Sequence, residues 1–139
     1  MRKNKIDILV CIFLIFVCSV CGLWGCGKTE TEVTQLDYTV VEDKDIPQEL
    51  KNIIDEKKES TIRLTYNTDE YTYAVAGYGT MGTSGYSICV NSVSLGTDSI
   101  YVDIDLLGPK PQEQVTKVST TPYIVLKMEK RDETVVFNM

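Results

Sequence analysis

From residue 61 to the C-terminus, apolar and polar side chains alternate with a period of two in one short segment after another. The apolar positions are Ile62, Leu64 and Tyr66; Tyr71, Tyr73 and Val75; Ile88 and Val90; Ile100, Val102, Ile104 and Leu106; Ile124, Leu126 and Met128; and Val135 to Phe137. Because successive side chains of a strand point to opposite faces, this pattern predicts strands with one dry and one wet face. Polar turns at residues 67–69, 96–98 and 131–133 separate the segments and favour antiparallel pairing.

One amphipathic helix is predicted ahead of these strands, over residues 46–59. An apolar stripe between Leu50 and Ile54 has helical spacing. Asp45 is a candidate N-cap, and Pro47 suits the first turn of a helix. We interpret the stripe as the face that packs on the sheet.

The fold class predicted from these elements is mainly β (α+β). It is an antiparallel sheet or small sandwich with one N-terminal amphipathic helix packed on it, and a strand at residues 37–41 precedes the helix. The pattern leaves open whether the sheet has one layer or two, and it leaves the oligomeric state open.

The N-terminus has the three parts of a secretory signal. Residues 1–5 are basic, residues 8–20 are apolar apart from one serine, and the small residues Gly22 and Gly25 follow. The apolar part is about 13 residues long, whereas a helix needs about 20 to span a bilayer. We therefore expect an export signal, with an uncleaved single-span anchor as the alternative.

The run Leu23-Trp24-Gly25-Cys26 resembles the bacterial lipobox, in which Leu and a small residue precede the cysteine that accepts a diacylglycerol. The resemblance implies lipidation at Cys26 and a lipid-anchored protein on the extracytoplasmic face of the cell membrane; a spare cysteine after a signal peptide is the alternative. We expect a lipoprotein signal peptide at 1–25, the lipidated Cys and a polar tether at 26–36, and a single β-rich domain at 37–139.

Composition excludes several classes of function. Residues 26–139 carry 11 basic and 19 acidic side chains. Such an acidic domain repels phosphate backbones, so a nucleic acid is not expected as a partner. The chain contains no histidine, which excludes Ser-His-Asp and Cys-His catalysis and removes the commonest metal ligand. We therefore expect a protein that is not an enzyme, with no catalytic residues, no metal and no cofactor.

Three polar residues on predicted strands are candidates for chemistry. Asp103 and Asp105 share one face, roughly 6–7 Å apart, a distance at which carboxylates bind a cation or hydrolyse a glycoside. We interpret them as part of a solvated face. Cys89 has no histidine base and is predicted to be a packed thiol.

The densest unusual stretch is residues 77–88, in which Tyr78, Met81 and Tyr86 are interspersed with glycines. Such a loop can present backbone and aromatic surface to a partner, or it can be a hairpin connection whose tyrosines pack inward. Two further features are a turn stiffened by prolines at residues 107–111, and Pro122, which marks a strand start or an edge.

The motifs in and after this stretch resemble the PrcB C-terminal domain family, whose namesake is a lipoprotein subunit of a bacterial surface protease complex. The resemblance runs from about Tyr73 to Phe137. It rests on Gly77-Tyr78-Gly79, Thr83-Ser84-Gly85-Tyr86-Ser87-Ile88, Gly108-Pro109, Pro122-Tyr123-Ile124-Val125 and Val136-Phe137. The family's Thr-Gly-Gly-Tyr-Ser run has Ser84 in the place of its first glycine. The resemblance implies a non-catalytic protein associated with extracytoplasmic proteolysis.

Two main hypotheses follow. In the first, the domain is an adaptor that binds a protein partner, such as a secreted protease, at the membrane. Its candidate binding residues are Tyr78, Thr83, Ser84, Gly85, Tyr86, Pro109 and Tyr123. In the second, it inhibits a protease, because the run from Thr83 to Tyr86 is similar to the Thr-Gly-Tyr loop of chagasin-like inhibitors. A binder of small ligands or glycans through exposed tyrosines is a third reading.

Overall fold

The structure, a computed structural model, describes residues 33–139. The predicted signal peptide, Cys26 and the first part of the tether lie outside the described residues. The elements are β1 Thr34–Gln35, β2 Thr39–Val40, a 3₁₀ turn Asp43–Asp45, α1 Gln48–Lys57, β3 Thr61–Asn67, β4 Tyr71–Tyr78, β5 Ser87–Leu95, β6 Ser99–Leu107, β7 Tyr123–Glu129 and β8 Thr134–Asn138. No helix within 33–139 is long and apolar enough to cross a membrane.

The strands form two four-stranded sheets. Sheet A has the order β1-β5-β6-β8, and sheet B has the order β2-β7-β4-β3. Neighbouring strands are antiparallel, as predicted, except that β8 pairs with β6 in parallel. This exception arises because the chain leaves β7 in sheet B and crosses to sheet A before β8 begins. Within residues 33–139, the predicted class, mainly β with a single α-helix, is confirmed.

Two hydrophobic clusters divide the domain into three layers. The first lies between the sheets and contains Ala74, Ala76, Val93, Ile100, Val102, Ile104, Leu126 and Met128. The second lies between sheet B and the helix and contains Ile46, Leu50, Ile54, Ile62, Tyr73, Val75 and Val125. Sheet B is therefore covered on both faces, and the expectation of one wet face per strand is wrong for its central strands β4 and β7.

The predicted helix start is also wrong in detail. The helix begins at Gln48, its N-cap is Pro47, and no side chain makes a capping hydrogen bond. Pro47 has an extended backbone (φ −52°, ψ 135°), and the residue before a proline avoids the helical region. Asp45 lies in the preceding 3₁₀ turn instead. Ile46, which the prediction placed in the helix, lies before it and is buried against the apolar face of α1.

Strand β5 is longer than the alternation of Ile88 and Val90 predicted. Its register with β6 shifts between Val90 and Ser92, and such a bulge moves the following side chains to the opposite parity. Val93 consequently points into the core between the sheets. The predicted strand at residues 37–41 is only Thr39–Val40.

Candidate functional site

Two loops that are distant in sequence are held together by backbone hydrogen bonds. We call residues 79–86 and 108–122 the loop pair. Met81 and Thr120 exchange two backbone bonds, of 2.7 and 3.0 Å, and form an isolated antiparallel bridge. The Ser84 N–H donates to the Thr116 carbonyl at 3.0 Å. The glycine-rich loop is therefore fixed along its length by the segment that follows β6.

Side chains strengthen this pairing at two of the predicted binding residues. The Ser84 hydroxyl oxygen accepts from the Thr116 N–H at 2.9 Å and lies 3.1 Å from the Thr116 hydroxyl. The Thr83 carbonyl accepts from the Thr120 hydroxyl at 2.9 Å. Within residues 33–139, no residue other than glycine has a positive φ. Ser84 consequently needs no glycine conformation, and its hydroxyl supplies a contact that glycine would lack.

Gly85 is the tightest point of the loop pair. Its φ is +92°, in the left-handed region that favours glycine. A Cβ at this position would lie 2.8 Å from Pro109 Cβ and 3.1 Å from Val115 Cγ1. Gly85 and Pro109, both predicted as binding residues, are thus brought into direct contact. Only glycine allows the two loops to approach this closely.

An open, mainly apolar groove of about 860 Å³ lies beside this contact. It is lined by Gly85, Tyr86, Ser87, Leu107, Gly108 and Lys110 to Glu113. The Tyr86 ring runs along Gly108, where a Cβ would lie 3.8 Å from its Cε1. The turn at Lys110 is closed by hydrogen bonds with Glu113 in both directions, of 2.9 and 3.1 Å.

Leu107 lines this groove but was not among the predicted binding residues. It is 49% exposed. The alternation along β6 places Leu107 on the same face as Asp103 and Asp105, where a polar side chain is expected. A large apolar residue at a solvent-facing position was the available signal.

Tyr78, another of the predicted binding residues, lies between the sheets. Its ring packs against the core cluster, and its hydroxyl donates to the Ile104 carbonyl at 3.2 Å. Burial, followed by the charge of Asp105, raises the pKa of Tyr78. These contacts give Tyr78 a packing role, and Tyr78 is not among the residues that line the groove.

Tyr123 lies on the opposite, helix-facing side of sheet B. Its hydroxyl donates to Asp43 and accepts from Lys51 Nζ at 2.8 Å, while Lys51 also forms an ion pair with Asp43. The hydrogen bond from Lys51 holds the pKa of Asp43 below its ordinary value, and the bond to Asp43 raises the pKa of Lys51. Burial is the main cause that raises the pKa of Tyr123. Tyr123 therefore fastens the helix and the 3₁₀ turn to β7 and is not part of the groove.

Comparison with protein-family models matches residues 72–129 to the family described as PrcB C-terminal. This match supports the PrcB C-terminal family for residues 72–129, which we call the family segment. The family segment runs from β4 to β7, so it contains the whole loop pair and the groove, while β8 lies outside it. No curated protein and no solved structure gives a significant match to the chain.

Within the family segment, the outer face of sheet A carries the three remaining candidates. Asp105 accepts a hydrogen bond from Asn91 Nδ2 at 2.9 Å, and Asp103 accepts one from Asn138 Nδ2 at 2.6 Å. Cys89 pairs with Asp105 across β5 and β6, and its thiol is exposed. The prediction of a packed thiol is wrong, because Cys89 points away from the core, opposite to Ile88 and Val90.

Proposed function

We propose that this chain is a non-catalytic lipoprotein on the extracytoplasmic face of the cell membrane, and that its β domain holds a protein partner in the groove beside Tyr86. The partner we favour is a secreted or surface protease, in keeping with the PrcB C-terminal match. The observation that carries the proposal is the groove itself. It lies inside the family segment, and its walls are built from loops that hydrogen bonds fix to each other.

The chemistry of the groove favours contact over catalysis. Its lining is mainly apolar, with Tyr86 and Leu107 beside a few polar groups, the composition typical of a binding surface. Ser87 is the only hydroxyl-bearing nucleophile among the groove residues apart from the Tyr86 phenol. The chain has no histidine to activate Ser87 as a general base.

The shape of the groove favours a protein over a small ligand. The groove is open to solvent, whereas a small-molecule site usually encloses most of its ligand. The inhibitor hypothesis has less support, because the Ser84 hydroxyl and Gly85 are already occupied by contacts within the loop pair. If micromolar concentrations of this protein slow peptide cleavage by papain-like or subtilisin-like proteases, the inhibitor hypothesis would be favoured instead.

The path of the chain agrees with a tethered binding module. Val33 precedes β1, and β1 pairs with the Leu95 end of β5. The groove lies at the opposite end of β5, at Ser87. The nine residues of β5 separate these ends by roughly 26 Å. An anchor upstream of Val33 therefore joins the sheet at the end away from the groove.

The groove is tested with the tagged full chain in native cell envelopes. Tyr86→Ala and Leu107→Ser each remove apolar surface from the groove, and we expect at least a fivefold loss of cross-linked partner for both. Tyr71→Ala is the matched control, since Tyr71 is a tyrosine 37% exposed on sheet B. Equal recovery from all variants that still melt cooperatively would contradict the proposal.

The anchor is tested separately by metabolic labelling with a clickable fatty acid. Cys26→Ala is expected to abolish labelling and to leave an unprocessed precursor of higher mass. Cys21→Ala is the control, because Val20 before it departs from the lipobox pattern. Full labelling of the Cys26→Ala chain would contradict lipidation at this residue.

A further inference from the structure

The two sheets differ in what covers their outer faces. Helix α1 packs on sheet B, but no element within residues 33–139 packs on the outer side of sheet A. We call this outer side the A face. It carries Cys89, Tyr101, Asp103, Asp105, Leu107 and Val136, and the groove lies at its Leu107 end.

Large apolar side chains are exposed at both ends of the A face. Leu107 is 49% exposed at the groove end. At the other end, Tyr101 and Val136 are paired in register on β6 and β8 and are 45% and 40% exposed. Grouped apolar exposure on an otherwise polar face is typical of an interaction surface.

The middle of the A face is negatively charged. The four strands of sheet A contain no Lys or Arg. Asp103 and Asp105 receive hydrogen bonds from asparagine amides, and these neutral donors leave the charges of both carboxylates in place. Complementarity then requires a positively charged group opposite them, whereas a nucleic acid or an anionic lipid surface is repelled.

We propose that the A face docks a partner protein through a segment with Lys or Arg between two apolar side chains. One apolar side chain of the partner segment lies in the groove at Leu107, and the other apolar side chain of that segment packs on Tyr101 and Val136. Leu107 lies six positions after Tyr101 on β6, a distance of roughly 20 Å, so an extended segment of about seven residues spans them. This inference rests on the proposed function and specifies the chemistry of its partner.

The exposed Cys89 thiol, in the middle of the A face, is the reporter for the test. Its alkylation by a maleimide is timed by mass spectrometry of the Cys89 peptide, for the full chain in native envelopes and for the detergent-purified full chain. We expect at least fivefold slower alkylation in envelopes. Raising the salt concentration to 0.5 M, or combining Asp103→Asn with Asp105→Asn, is expected to restore the rate. Asp55→Asn, an exposed carboxylate on α1, is the control and should leave the protection intact.

Four results would overturn the inference. The first is an equal alkylation rate of Cys89 in envelopes and in detergent, and the second is protection of Cys89 that survives both high salt and the double substitution. The third is protection of Cys89 on protein-free vesicles. The fourth is protection of Cys89 when the purified chain is concentrated, which would indicate that the partner is a second copy. The result also separates the two proposals. If Tyr86→Ala releases the partner while Cys89 is never protected, the groove function stands and the docking on the A face fails. If Tyr86→Ala has no effect on the partner, the proposed function itself fails.

Discussion

Sheet A and sheet B have four strands each, yet their central strands are buried differently. In sheet B, the neighbouring residues Val125 and Leu126 of β7 point to opposite faces and are both 1% exposed. In sheet A, Val102 of β6 is fully buried while Tyr101 is 45% exposed. Sheet B therefore serves as the middle layer of the fold, and sheet A keeps one face available for contact.

The difference is visible in residue size and type. β4 has the small residues Ala74 and Ala76 toward sheet A and the larger Tyr73 and Val75 toward the helix. Both faces of this strand are apolar, so both can be covered. β6 instead alternates Asp with Ile and Val, and covering its acidic face with an apolar layer would cost the desolvation of two carboxylates.

The sharpest test of this comparison is one carboxylate placed on each face of each sheet. Val125→Asp and Leu126→Asp are both expected to cost about 3–5 kcal/mol and to unfold the domain, because each buries an unpaired charge. Val102→Asp should cost as much, whereas Tyr101→Asp should change the free energy of unfolding by less than about 1 kcal/mol. Urea denaturation followed by circular dichroism measures all four. A folded Val125→Asp protein would mean that the helix does not cover sheet B.

The second test concerns the loop pair. Gly85→Ala is expected to cost about 2–4 kcal/mol, because it combines a left-handed φ with a Cβ placed 2.8 Å from Pro109. Gly82→Ala is the matched control, since nothing lies within 4 Å of its added Cβ and its φ is not positive. Thermal melting compares the two. If both substitutions are neutral, the contact between the loops is looser than described.

The third test concerns the attachment of the helix to sheet B through Asp43, Lys51 and Tyr123. The pKa of Asp43 is lower in the folded chain than its ordinary value of 3.8. Its stabilisation is therefore complete above that value and is lost as the pH falls through the lower folded pKa. Asp43 is two-thirds exposed, so we expect at most about 1 kcal/mol.

The contribution of Asp43 to stability is measured by urea unfolding between pH 2 and pH 6. Asp43→Asn should flatten the dependence on pH in this range. In a Lys51→Met background, the same substitution should have a smaller effect, because the largest cause that lowers the pKa of Asp43 is gone and the hydrogen bond from Tyr123 remains. An unchanged effect of Asp43→Asn in that background would assign the shift to another partner.

The smallest expected effect is at Cys89. Cys89→Ser should change the free energy of unfolding by no more than about 0.5 kcal/mol, because the thiol is exposed. Val90→Ser, at the next residue on β5, should cost about 2 kcal/mol, since Val90 packs against the core between the sheets. Comparable losses at the two positions would mean that the outer face of sheet A is covered after all.

Several elements of the fold could be predicted because their signals are local. Alternation located β3, β4, β6 and β7 to within about two residues, and turn residues separated them correctly. Pro122 marked the start of β7, since a proline cannot donate to the ladder. The family resemblance was also readable, because its motifs lie in one continuous stretch.

The candidate site was predictable only in part. The loop from Thr83 to Tyr86 and the turn at Pro109, both noted in the sequence, meet in space, and their role in binding stays a prediction. Tyr78 and Tyr123 instead pack elsewhere in the fold. The sequence could not show this, because an aromatic residue near a glycine-rich loop has the same sequence signature whether it packs or binds. The pairing of Ser84 with Thr116 had no sequence signal, because the two residues are 32 positions apart.

The order and kind of neighbouring residues were enough to predict most of the strands and the α-helix within residues 33–139, and they give the acidic charge and the absence of histidine directly. The tertiary structure alone decided which strands share a sheet, which sheet lies in the middle, and that β8 runs parallel to β6. It also decided which apolar residues stay exposed. The physical reason is that period-two alternation fixes the two faces of a strand relative to each other but says nothing about what packs on either one.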